Sequence, residues 1–179
     1  PGQVELTGQE DFTLADRWIL SRLQETIRGV TSYLDDFRFN LAGKALYDFF
    51  WGDFCDWYLE TAKPRYREEG SSQDGYLAKK VSVYVLEKIL RLLSPFIPFV
   101  TEQIWRNLYG YDSSHTSQSL MIQPWPVPEE KLKFKQAEQQ MEKLQEIIVS
   151  LRNLKSELGL ASGAKPRVML KCERSSTVE

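Results

Sequence analysis

The chain is poor in residues that carry chemistry by themselves. Its 179 residues include one histidine, His115, and two cysteines, Cys55 and Cys172. His115 lies in the polar run Tyr111 to Ser117, which reads as a solvated loop, so histidine-based acid–base chemistry is not expected. The cysteines have neither CxxC nor metal-ligand spacing, which argues against a disulfide framework or zinc site and predicts two reduced thiols. No run of eighteen apolar residues occurs, and Pro1-Gly2-Gln3-Val4-Glu5 has neither the basic segment nor the apolar core of a secretion signal. A soluble, cytoplasmic setting without a membrane partner is the expectation. No charge sign dominates either: 23 basic residues face 25 acidic ones, so any nucleic-acid contact must rest on local patches. The phosphate-cradling GxxxxGK[ST] loop, the GxGxxG turn, the HExxH helix and the GxSxG elbow are all missing. The acids at Asp53, Asp56 and Glu60 lack the further ligands a metal would need. No catalytic residue and no metal ligand is expected.

What the chain does have is a dense aromatic and charged run. Phe49, Phe50, Trp51, Phe54, Trp57 and Tyr58 fall within ten residues. At helical spacing Leu46, Phe50, Phe54 and Trp57 make an apolar stripe, while Asp53, Asp56, Glu60, Lys63 and Arg67 follow a three-four ladder on another face. Most of these rings must be core, because a helix exposing all of them would aggregate; one or two at the rim could stack on unpaired bases, although for any single ring a place in the core is the commoner outcome. Pro64 is expected to end or kink the helix at Lys63, gathering Lys63, Arg65 and Arg67 where carbonyls lack partners and the helix dipole is negative.

The rest reads as an all-α fold, a bundle of about five helices. Residues 1–13 are polar with two glycines and read as an N-terminal tether. The helical domain follows over 14–159. Leu20, Leu23, Ile27, Val30 and Leu34 recur at three and four, with Thr13 and Asp16 as an imperfect capping box. The second helix runs from about Phe39 to Lys63. A third sets Val81, Val85, Ile89 and Leu92 on one face, ends near Ser94, and gives way to a fourth starting near Pro98. Leu120 to Pro128 is an extended connector pinned by Trp125. A long last helix spaces Ala137, Met141, Leu144, Ile148, Leu151 and Leu158 by near-heptads, as a bundle's core face or a short coiled coil would. Arg167 to Cys172 alternates like a strand without a partner, so 160–179 is read as the start of a truncated neighbouring subdomain.

Ala15-Asp16-Arg17-Trp18-Ile19-Leu20-Ser21-Arg22-Leu23, the run Phe54 to Arg65, Leu92 to Trp105 and Pro124-Trp125-Pro126 together resemble the helical anticodon-binding domain of class I valyl-tRNA synthetases. The likeness covers nearly the whole chain in order. The isoleucyl, leucyl and methionyl enzymes share the bundle, but Phe54 to Glu60 followed by Lys63-Pro64-Arg65 looks like the valyl branch. Ser94, Ile97 and Gln103 stand where that family usually has histidine, methionine and glutamate. The resemblance implies a binding module for the anticodon stem and loop of tRNA(Val), serving a catalytic domain of the same polypeptide. That parent enzyme would use ATP and Mg2+, and this stretch would need no cofactor. The family's His-Ile-Gly-His and Lys-Met-Ser-Lys-Ser motifs are absent, so the chain is expected to be an inactive piece. Several base-reading residues of the family belong to a helix preceding this stretch.

Among the positions present, Glu60 is the leading specificity candidate, because a carboxylate accepts from the cytosine amino group and valine anticodons end in cytosine. A solvated acid, or a partner for Lys63 or Lys44, would have the same sequence. Lys63, Arg65 and Arg67 are assigned to phosphates, although a cluster complementing the helix dipole would look alike. Arg152 and Lys155 are placed, by fold analogy, toward the inner corner of the tRNA. The rival reading is a helical protein-interaction scaffold, with an exposed apolar groove and no salt-dependent RNA affinity.

Overall fold

The computed structural model describes residues 4–67, 73–110, 118–161 and 163–169. Helix α1, Leu14–Asp35, begins with a true capping box: the Asp16 amide donates to Thr13 Oγ1 at 3.2 Å while the Thr13 amide donates to Asp16 Oδ2 at 3.0 Å. Aspartate thus does what glutamate or glutamine usually does at this position. Leu20, Leu23, Ile27 and Val30 are fully buried, as their spacing predicts. The helix ends in a Schellman turn, with the Phe37 and Arg38 amides donating to Leu34 O and Tyr33 O. Phe37 takes the left-handed conformation, φ 57°, where glycine is usual.

The next stretch is one rod from residue 39 to 66, but not one α-helix. Helix α2, Phe39–Tyr47, passes into a π-helix over Asp48–Leu59, which returns to α geometry in α3, Glu60–Tyr66. A π-helix bonds i to i+5 and so winds less per residue. Its mark in the core is a five-residue step: Ala42, Leu46, Phe49, Phe54, Tyr58 and Ala62 are the buried side chains. The stripe expected from α spacing is therefore only partly right, since Phe50 and Trp57 are half-buried while Phe49 and Tyr58 take the interior. The helix also continues past Lys63, with Pro64 inside α3. Pro64 has no N–H for the carbonyl a turn earlier, but the helix ends only two residues later at Tyr66, so the loss is confined to one hydrogen bond near the helix end.

Helix α4, Gln73–Leu93, buries Val81, Val85, Ile89 and Leu92. Helix α5, Pro98–Tyr109, starts with proline at its first turn and ends at Gly110 with φ 69°. The connector over 118–134 holds two short 3-10 turns, Leu120–Ile122 and Glu130–Leu132. Trp125 pins it by donating its indole N–H to Thr31 Oγ1 at 2.9 Å. Residues 4–13, expected as a tether, are packed instead: Leu6 and Phe12 join the core. Composition hid this because two buried apolar side chains suffice to fix a short polar segment.

Helix α6, Lys135–Glu157, crosses between the two compact units of the chain, Pro1–Glu142 and Lys143–Glu179. In the first unit Ala137 and Met141 are buried and Glu138 accepts from Ser21. In the second, Leu144, Leu154 and Leu158 are exposed and Ile148 and Leu151 half-buried, so the expected core face stops at Met141. The strand expected over Arg167 to Cys172 is not formed at 167–169, where Val168 and Met169 are exposed without a ladder; 170–172 lie outside the described residues. Alternation alone cannot make a strand when no second strand supplies hydrogen bonds.

Candidate nucleic-acid interface

The outer face of the rod carries most of the candidate residues. Thirteen residues separate Tyr47 from Glu60, about three and a half turns of α-helix, which would set them on opposite faces. The π-helix removes roughly half a turn of winding between them. Tyr47, Trp51, Asp56, Glu60, Lys63 and Arg67 are accordingly all exposed, opposite the buried row from Ala42 to Ala62. Rings thus stand at one end of a strip, acids in its middle and cations at its other end. Tyr47 and Trp51 pack as a tilted pair with centroids 6.5 Å apart.

Of the six candidate tRNA-contacting residues, three lie together on this strip. Glu60 and Lys63 form an ion pair across one turn, both more than half exposed, and Arg67 is exposed one turn further on. A pair so solvated contributes little stability, which leaves both groups free to exchange for a ligand. Asp53 leaves the expected ladder: it accepts from Arg22 Nε at 2.9 Å, and burial raises its carboxyl above the usual range while Arg22 opposes this. The wide turns rotate it toward α1.

Arg65 belongs elsewhere. Its side chain is only 12% exposed, with Nη1 donating to Asp16 Oδ1 at 2.9 Å and Nε and Nη2 donating to Asp74 at 2.8 and 2.6 Å. Asp16 is fully buried and also accepts the Tyr58 hydroxyl at 2.8 Å. Burial, and then the Asp16 carboxylate, push the Tyr58 phenol far above its usual range, so it remains a donor. A phosphate contact, as expected for Arg65, would compete with the two carboxylates that occupy its guanidinium fork and join α1, α3 and α4. Clustering by sequence overlooked that Lys63 and Arg65, two apart on a helix, point to different sides.

Arg152 and Lys155 sit on the second unit, where Lys155 donates to Ala164 O at 2.8 Å. They border an apolar cleft of about 510 Å³ that Leu151, Leu158 and Val168 help line. The units differ in charge: 1–142 carries 16 basic and 21 acidic residues, 143–179 seven basic and four acidic. Among the described residues no group of three or more potential metal ligands occurs, and no helix is long and apolar enough to cross a membrane.

Sequence reasoning missed Tyr47 altogether and left Trp51 among rings assigned mainly to the core. No spacing signal pointed to them, because Leu46, Phe50, Phe54 and Trp57 fit α winding and the step from Phe49 to Phe54 shows only in the burial.

Comparison with known proteins gives the strip its context. The chain is 40% identical over 172 residues to a valine-tRNA ligase of Bacillus cereus, covering 96% of this chain and 18% of that protein. It is 43% identical over 159 residues to the valine-tRNA ligase of Halalkalibacterium halodurans, covering 88% and 17%. It is 40% identical over 177 residues to that of a Synechocystis species, covering 97% and 19%. The chain thus spans less than a fifth of the length of these relatives. Residues 16–170 match the family described as the anticodon-binding domain of tRNA ligase, and with nearly all of its helical body inside that match, the chain belongs to this family.

Proposed function

We propose that this chain is the anticodon-gripping part of a valine-tRNA ligase, holding the stem and loop of tRNA(Val) while a catalytic domain of the parent polypeptide attaches valine with ATP and Mg2+. The observation that carries the reading is the rod's outer strip: cations suited to phosphate, carboxylates suited to base amino groups and rings suited to base faces lie along one line of a family member. Lys63 and Arg67 hold phosphate oxygens, and Glu60 accepts from the amino group of the last anticodon base. Arg65 acts through Asp16 and Asp74 as a positioning residue that fixes the end of the rod. Arg152 and Lys155 supply a second, separate cationic contact with the tRNA. Fixing one end of the tRNA lets its acceptor end reach distant machinery, which is how binding far from the reaction raises its rate.

Titration with an RNA hairpin carrying a valine anticodon tests this. The hairpin should bind, more weakly as salt rises, and Lys63→Glu with Arg67→Glu should weaken it further. In the parent enzyme, Glu60→Gln should lower charging by about tenfold, the loss expected when one buried donor goes unmatched. No binding by this chain at low salt, or affinity indifferent to salt, would instead favour a protein-interaction scaffold.

A further inference from the structure

We infer that Tyr47 and Trp51 form a stacking platform for one unpaired base of the RNA that the strip holds, an inference that rests on the reading above and extends it to the aromatic end. Tyr47 is 64% exposed and Trp51 51%, unusual for such large rings side by side. The Trp51 ring is braced from within: Phe50 meets it edge-on, with centroids 5.2 Å apart and planes at 69°. The braced ring loses little freedom when a flat partner lands on it. Next to it Gly52 leaves room, since a Cβ there would meet nothing within 4 Å.

The setting favours a base over an apolar protein side chain. Around the two rings the exposed neighbours on the rod are Lys44, Asp48 and Asp56, with Lys44 and Asp48 paired to each other. An apolar partner would have to strip water from these charges. A base offers a π face to the rings and polar edges to the carboxylates, so it matches both. Further along, acids separate the rings from Lys63 and Arg67, which keeps the phosphate chain at the cationic end and turns bases toward the aromatic one. The π-helix makes the arrangement possible, because α winding would carry the rings to the side opposite Glu60.

The test compares the wild-type chain with Trp51→Ala and Trp51→Phe, each titrated with the anticodon hairpin and with a fully paired duplex of the same stem. Unchanged circular dichroism and melting would show that the exposed position tolerates both changes. Trp51→Ala should weaken hairpin binding about 5- to 100-fold and leave the duplex alone, whereas Trp51→Phe, which keeps a ring, should bind within a few-fold of wild type. Part of the tryptophan fluorescence should be quenched by the hairpin in wild type and not in Trp51→Phe. If Trp51→Ala binds the hairpin as wild type does while the Lys63 and Arg67 changes weaken it, the platform is refuted and RNA binding stands. Equal losses for hairpin and duplex would also overturn it, showing a role in shaping the rod. Failure of the wild-type chain to bind the hairpin at all would overturn both.

Discussion

Asp16 is a fully buried carboxylate that ties the start of α1 to the rod. It caps its own helix through Thr13, accepts from Tyr58 and pairs with Arg65, all without contact with water. A buried ion pair adds little by existing, yet removing one partner strands the other charge. Arg65→Met should therefore cost about 3 kcal/mol, read as a lowered midpoint in urea at unchanged slope. Glu10 gives a second test at this scale. Burial alone would raise its carboxyl, but the Thr7 amide, its own amide, the Thr7 hydroxyl and Lys80 outweigh that and hold it down at about 2 instead of 4.5. A folded value below the unfolded one means that the stabilisation is complete above 4.5 and fades as pH falls toward 2. Melting of wild type and Glu10→Gln should thus differ near neutrality and converge across that window.

At the scale of elements, the bundle was largely legible and the rod only half so. α1 and α4 carry unbroken three-four apolar repeats, Pro98 starts α5 and Thr13 caps α1, so their boundaries follow from local rules. The rod defeated the same rules in part because its central segment does not have 3.6 residues per turn: Leu46 and Phe54 are buried as expected, while Phe50, Trp57 and Asp53 leave the faces that α spacing gives them. Glu60, Lys63 and Arg67 were still grouped correctly, since they lie at or beyond the return to α winding. Arg65 was misplaced because its partners, Asp16 and Asp74, come from two other helices that no spacing rule connects to it. The strip also makes a prediction about selectivity. Asp56 sits between rings and cations, where it discourages phosphate, so Asp56→Lys should strengthen binding of hairpin and duplex alike and narrow the gap between them, as competition titration would show.

At the scale of the molecule, near-neutral totals conceal an acidic first unit and a basic second one. If Lys63 and Arg67 are the cations through which this acidic unit meets RNA, its salt dependence should be shallow: the logarithm of the binding constant against that of salt should fall with a slope of about −1 to −2, measured on residues 1–142 and hairpin. A markedly steeper slope would mean that more cations take part than the rod supplies. The rod's altered winding has a further consequence for how such a gene can vary. Losing the codon of an inward residue such as Phe49 would leave every residue of the strip in the product, yet rotate one end of the strip against the other by roughly a quarter turn. A substitution at one outward position of the rod thus alters one contact, whereas a change in residue count inside it displaces every contact on one side of the change at once.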